Sequence, residues 1–599
     1  MRVSDSLWEM PGSRWPGAVV AMLAAWLGLS CAAAAVPLWP PLPGQLRPPP
    51  LIINIALNDA GSDALARLRR VPPSPTVFQA QKLLRDLGHY RGSVNGLLDA
   101  ATSAAVKRYQ RRTNLEVDGL VSEALLDHLE FTGRAERLVE RLSQVRSQQV
   151  ARARAALAAQ PETRSLLAGR AADEAADPAR DSAACFAAPS VSCLLEEALE
   201  AAKAVHRAHF RDWVLGEILQ LQARLGRDDE ALATAARIDD PRLVMTALGK
   251  IARAQARQRR WQAAGATARL IPDPQVRAGV LVALVAALAE AERVAAAYDA
   301  ASEAAALLER IAAGRARLEV LSGLVLALEA PPPAEPPPVL GALAEKFVAR
   351  ALAAVEAGLP GARRRVAQLM ARRGRPGAAL ALAEELADAD QRDVLMADIA
   401  LAQARLGQDQ AALASVARVA LPRYRIAALV RIANLHSAAE RPGAARAVLA
   451  RALPEIDNIE AKFSYARADA GNRLVHALID AGAGAEARRT AGAIGDARLR
   501  ADAQWRLAAA AAAAARTGAT GAAAAERLSR DLTGAIGSAL DRAWTSCNGV
   551  RAGLNAGARP LARRTFELAL ETVREISSPW ARAQALVRLA ATLSALEEN

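Results

Sequence analysis

A helical phrase that opens at Arg211 returns at Arg392, and the fold has to accommodate that recurrence. From Arg211 to Gly226 the apolar residues Val214, Ile218, Leu221 and Leu225 fall on one face of a helix. Gly226 then supplies a left-handed stop, a shorter amphipathic run passes through Ala231, Ala235 and Ile238, and Asp239-Asp240-Pro241 caps the next helix. This is one helical hairpin. Similar runs open at Arg242 and Arg277, a period of 31 to 35 residues. The run from Arg392 to Gly407 shares Arg, Asp, Ile and a closing Gln-Ala-Arg-Leu-Gly with the first, at an offset of 181 that Pro241 and Pro422, and Ile251-Ala252 and Ile432-Ala433, also keep. Related hairpins recur around Arg425, Arg500 and Arg582. One hairpin cannot bury its apolar face alone, so stacked neighbours must supply a continuous core. The expectation is an all-α fold whose larger part is an α-solenoid.

The hairpin array resembles tetratricopeptide repeats in architecture, although the Trp and Tyr positions of that signature are not met, and composition agrees with an all-α solenoid. Hydrophobic residues make up 52% of the 599 but aromatics only 4%, so the apolar content is that of close-packed helices. Lys and Arg outnumber Asp and Glu by 76 to 63, for a net charge of +13, which favours an anionic neighbour. Prolines break the helical texture at Val36 to Pro50, Val71 to Pro75 and Pro331 to Pro338. The expected organisation is a leader at 1–35, a Pro-rich region at 36–75, a small domain at 76–132 and a helical connector at 133–195. Solenoid blocks then follow at 196–330 and 339–599, split by a linker at 331–338.

The small domain carries its own pattern. Phe78, Leu83, Leu84 and Leu87 line a helix ending at Gly88; Gly92 and Gly96 permit a tight loop; Thr102, Ala105, Val106 and Tyr109 begin a second helix; and Val117-Asp118-Gly119 turns into a third ending near Leu129. Leu87-Gly88, Gly92, Val94, Gly96, Thr102, Ala105-Val106, Gln110 and Asp118-Gly119 together resemble the three-helix peptidoglycan-binding domain of bacterial cell-wall hydrolases. Asn95 stands where that family has Asp, Asp99 where it has Gly, and Ser122-Glu123 and Leu125 where it has Gly-Pro and Thr. The resemblance implies a peptidoglycan partner, with Tyr90, Arg91, Asn95 and Arg111 as exposed candidates for ligand contact.

Upstream, the uncharged run Gly17 to Ala35 reads as an export signal. Cleavage after Ala35, lipidation at Cys31 and retention as a membrane anchor are all compatible with it. Membrane contact would come only through such an anchor or lipid, and the chain would work in the periplasm or cell envelope. In an oxidising compartment Cys185 and Cys193, eight apart, form a candidate disulfide, while Cys547 has no evident partner.

The search for chemistry assigns no catalytic residue, metal site or cofactor. There is no His-Glu-x-x-His pattern. His206 and His209 lie three apart on an expected helix without a convergent third ligand. Thr545 to Gly549 has its glycine on the wrong side of Cys547 for a cell-wall transpeptidase. Too few aromatics are present to line a glycan cleft or to stack bases, and export leaves no nucleic acid partner. The leading expectation is a non-catalytic envelope protein that binds peptidoglycan through the small domain and other envelope proteins through the solenoid. The alternatives are a peptidoglycan hydrolase or hydrolase accessory factor, and a scaffold whose small domain no longer binds glycan.

Overall fold

Proline opens helix after helix in this chain, at positions such as Pro75, Pro241, Pro274 and Pro422, because the first turn needs neither its missing amide nor a free φ. The structure, a computed structural model, describes residues 73–167, 175–329, 336–515 and 518–598. Helix is the regular secondary structure of these residues, with no strand among them. The expected leader, Cys31 and the first two proline-rich stretches, as far as residue 72, lie outside them. Among the described residues no helix is long and apolar enough to cross a membrane. The chain divides at Arg134 into two compact units.

The first unit holds α1 (Pro75–Asp86), α2 (Ala100–Arg112) and the start of α3 (Glu123–Ala158). Ala80, Leu84, Tyr90, Val106, Tyr109 and Leu129 form its core. Two expectations need correction. Phe78 is 48% exposed and Val77 takes the core position, so the buried stripe of α1 lies one residue earlier. The third helix does not end near Leu129; it runs on as a single helix to Ala158.

In the second unit α4 (Pro161–Arg164), α5 (Ala183–Ala187) and α6 (Val191–Lys203) lead into the repeats. Hairpins follow as α7 and α8 (Ala208–Arg224, Asp228–Ala235), α9 and α10 (Pro241–Arg257, Trp261–Arg269), α11 and α12 (Pro274–Glu290, Val294–Leu308), and α13 and α14 (Arg315–Leu328, Pro338–Glu356). They continue as α15 and α16 (Ala362–Arg372, Pro376–Glu384), α17 and α18 (Ala389–Arg405, Asp409–Ala417), and α19 and α20 (Pro422–Ala438, Pro442–Ala452). The last are α21 and α22 (Ser464–Asp480, Gly484–Gly492), α23 and α24 (Ala497–Ala515, Gly518–Ala535), α25 and α26 (Ala539–Asn555, Arg559–Arg574), and the unpaired α27 (Pro579–Glu598).

The array does not stay open. Each first helix packs on the next, from α7 through every odd-numbered helix to α27, and α27 packs back on α7. The missing second helix of the last hairpin is α6, from the far end of the unit, so α6 and α27 complete one another. Leu194 and Leu195 of α6 belong to the same core as Leu586 and Leu589 of α27. First helices touch both neighbours around this circuit, whereas second helices mostly contact only their own hairpin and the helix that follows. That places the first helices on the shorter, inner circumference. The repeats therefore close into a ring. Residues 331–335 of the third proline run also lie outside the described residues; α13 and α14, which flank it, pack on one another.

Three polar contacts repeat with the helices. Arg211, Arg317, Arg392, Arg425, Arg500 and Arg542 each donate to the carbonyl six residues earlier, at the end of the preceding helix. Asp212 accepts from the amides of Asp239 and Asp240, and Asp393, at the repeat offset, accepts from those of Ala420 and Leu421. Gln222 pairs with Thr234, Gln255 with Thr267 and Gln403 with Ser415, each across one hairpin at 2.7 to 2.9 Å. Buried amides and carbonyls at helix ends need such partners.

The seam has further ties. Cys185 and Cys193 are joined in a disulfide with Cα atoms 5.7 Å apart, linking α5 to the first turn of α6. Arg574 and Arg582 lie 5.2 and 5.7 Å from the Phe186 ring, and Arg582 donates to the Ser182 hydroxyl at 3.2 Å. Trp580 meets Phe210 and Trp213 of α7 at centroid distances of 5.6 and 5.7 Å.

Candidate functional site

In the first unit a buried glutamine organises each of two turns. The Gln81 side-chain carbonyl accepts from the amides of Asn95 and Gly96 at 2.9 Å, and its amide donates to Leu97 O and Thr102 Oγ1 at 2.9 Å and to Asn95 Oδ1 at 3.2 Å. Gln110 repeats the device: its carbonyl accepts from Gly119 N at 3.0 Å and its amide donates to Asp118 Oδ1 at 2.6 Å. In both turns the Asx oxygen also accepts from the amide two residues on, Leu97 in one and Leu120 in the other, at 3.0 and 2.9 Å. Gly96 and Gly119 have φ near +75°, which glycine adopts without strain. The hydrogen bonds from Leu120 N and Gln110 hold the Asp118 carboxyl below its ordinary range.

These turns meet at the amino-terminal half of α2. Thr102 is bonded to Gln81, while the Ser103 hydroxyl donates to Gly119 O at 3.2 Å. Asp99 caps the helix through the amide and hydroxyl of Thr102, and those bonds hold its carboxyl low. The turn tips leave Leu97, Leu98 and Leu120 exposed, giving an apolar surface on either side of α2.

The four residues nominated from sequence do not converge there. Tyr90 is not exposed: at 3% it is a core residue whose hydroxyl donates to Ser93 O at 2.9 Å, and an added Cβ at Gly92 would come within 2.6 Å of its ring. Asn95 is exposed as a residue, but its oxygen is committed to the turn. Arg91 is exposed at the start of the loop. Arg111 is exposed in the last turn of α2, roughly 13 Å along the helix from Thr102 at about 1.5 Å per residue. Sequence reasoning missed Gln81, Leu97, Leu98 and Leu120; the available signal was the recurrence of Asx-Gly-Leu at Asn95 to Leu97 and Asp118 to Leu120.

Elsewhere, no group of three metal-ligating side chains comes together among the described residues. His206 lies in the loop before α7, not on a helix with His209. Cys547 is buried in α25, where desolvation pushes its thiol pKa up.

Comparison with known proteins agrees with the small domain. Residues 73–129 match the family described as "Putative peptidoglycan binding domain". No curated protein matches the chain. Among solved structures, the chain is similar to Ton1535 from Thermococcus onnurineus NA1 at 16% identity, covering 62% of this chain and 97% of that one with a TM-score of 0.25. It is also similar to a circular tandem repeat protein with novel repeat topology and enhanced subunit contact surfaces, at 13% identity over 90% of this chain and 97% of that one, with a TM-score of 0.14.

Proposed function

We propose that this chain, which carries a peptidoglycan-binding domain at 73–129 ahead of a helical repeat array, is a non-catalytic cell-envelope protein that docks on the wall and holds partner proteins on its ring. The observation that carries the docking reading is the pair of glutamine-locked Asx-Gly-Leu turns, a rigid surface presenting Leu97, Leu98 and Leu120. Exposed apolar side chains held on preorganised backbone can pack against the faces of sugar rings or the methyl groups of a wall peptide. The net charge of +13 favours residence beside anionic wall polymer. Export, with residence in the periplasm or at the envelope, belongs to the same proposal and rests on the apolar run Gly17 to Ala35. Repeat arrays commonly serve as binding scaffolds, which supports protein partners for the ring.

The test is sedimentation of the full chain with purified sacculi across a salt series, beside a variant lacking residues 73–132. Salt-resistant binding by the full chain only is the expected result. Equal retention of both proteins would overturn the docking claim, and release of soluble muropeptides by the purified chain would overturn the non-catalytic one.

A further inference from the structure

The inner wall of the ring carries a cluster of basic side chains on α9. On α9, Gln255 points to Thr267 of α10. At about 100° per residue, Lys250, Arg253 and Arg257 lie roughly 140° to 160° away from it, on the face turned inward. Lys250 is satisfied: its amine donates to Gly216 O at 3.0 Å and lies 3.5 Å from Glu217. Arg253 is different. Its guanidinium lies along the glycines of two helices, with Nη1 3.3 Å from where a Cβ would stand on Gly249 and Nη2 3.5 Å from the same point on Gly279. Neither Arg253 nor Arg257 has an ion-pair partner among the described residues. Burial, then Arg257, push the Arg253 pKa down. A half-buried cation beside a second cation is costly unless a counter-charge arrives from outside.

Space for that counter-charge exists. Arg253, Arg257, Arg259, Ala283, Ala286 and Glu290 line a cavity of about 390 Å³ between α9 and α11. Further arginines follow along the wall among acids: Arg224 lies within electrostatic reach of Arg257 but also of Glu217 and Glu598, and Arg551 of Arg588 but also of Asp502. The Arg551 and Arg588 side chains are fixed by Asn548, whose oxygen accepts from them at 2.6 and 2.8 Å.

We propose that this alcove binds a carboxylate of a short acidic peptide, with Arg253 and Arg257 clamping the carboxylate and the alanine floor receiving a small side chain beside it. Forked guanidinium donors match a planar carboxylate. A phosphate dianion fits less well, because the alcove lies at the carboxyl-terminal turns of α9 and α11, where the helix dipoles are negative and Glu290 adds a charge. The peptide stems of the wall polymer and an acidic segment of a protein share this chemistry; assigning the stems rests on the docking proposal above.

Titration calorimetry of the full chain separates the sources, using a stem tetrapeptide purified from sacculi, the synthetic peptide Ala-Glu-Ala-Glu-Ala, and sodium phosphate. At least one peptide should bind at low salt. The double variant Arg253→Glu/Arg257→Glu should weaken that binding by about tenfold or more, roughly 1.4 kcal/mol or more. The lysine double variant, which keeps the charge but loses the fork, should weaken it less, and Arg372→Glu/Arg405→Glu, on α15 and α17, should leave it unchanged. Preference for the stem tetrapeptide supports the wall as source; equal binding supports any acidic peptide. No peptide binding, binding undiminished in both Arg253/Arg257 variants, or phosphate binding as tightly as the peptides would overturn the proposal. Because peptide binding is read in solution, its failure is distinct from a failure of the small domain to sediment with sacculi.

Discussion

Arg574 donates a hydrogen bond to the backbone carbonyl of Phe186 at 3.2 Å, and 388 positions of sequence separate the two residues. Together with Arg582 and the disulfide behind Phe186, this contact ties α5 and α6 to the last repeats.

Opening the Cys185–Cys193 bond with reductant should therefore loosen the seam first. A loop this short corresponds to about 2–3 kcal/mol in the chain-entropy account. Arg574→Ala/Arg582→Ala should cost about 1–3 kcal/mol through lost cation–π and hydrogen-bond contacts. Amide hydrogen exchange checks both: protection should fall in α5, α6 and α27 before it falls around α17 to α19. Uniform loss across the ring would contradict a local seam.

Asp393 holds two loop amides, those of Ala420 and Leu421, at 3.0 and 2.8 Å. Asp393→Ala leaves both without their acceptor and should destabilise by about 1–3 kcal/mol. Asp212→Ala should do the same at the equivalent loop, and Asp212→Asn, which keeps one acceptor oxygen, should cost less. Denaturant midpoints of the three variants test the equivalence.

In the small domain, Gln81→Ala removes the acceptor of the Asn95 and Gly96 amides and the donor to Thr102, and should cost roughly 2–4 kcal/mol. Asn95→Asp should change stability by less than about 1 kcal/mol, because Asp118 already fills the equivalent place in the second turn. Near-equal losses from the two substitutions, in thermal melts of the full chain, would contradict this account of the turns.

Asp502 of α23 sets an acid limit. Burial opposes its ionisation, but His476, with an Nε2 contact at 3.1 Å, and the amides of Asn472 and Asn548 outweigh that and hold its carboxyl low. A carboxyl depressed in the folded state contributes stability above its unfolded pKa of about 4, and loses it as pH falls through the lower folded value. Asp502→Asn should therefore lower stability near neutral pH and flatten the acid limb of its pH dependence, as read by melting temperature across an acid series.

The hairpins were legible from sequence because Gly226, Pro241 and the recurring arginines mark their ends, and the offset of 181 recurs in space as the matched pairs Glu217–Lys250 and Asp398–Arg431. Closure was not legible. α6 and α27 share one hairpin, yet no periodicity connects residues that far apart. Tyr90 was misplaced because a tyrosine after Gly88 is compatible with core and surface alike, and only the packing over Gly92 decides. Gln81 passed unnoticed because a polar residue in a helix is ordinarily read as solvated; its partners lie on a loop 14 and 15 positions away.

A hairpin made from both ends of a repeat array also imposes an order of events on the growing polypeptide. In an open array each new repeat is laid on a finished neighbour, but α6, with Leu194, Leu195 and Ala198 on its buried face, is synthesised nearly four hundred residues before α27 emerges to complete its hairpin. Until then the nascent chain carries an unpaired apolar stripe, and any product that stops short of Pro579 keeps it permanently. Truncation at the carboxyl end therefore endangers solubility through a surface at the opposite end of the repeats.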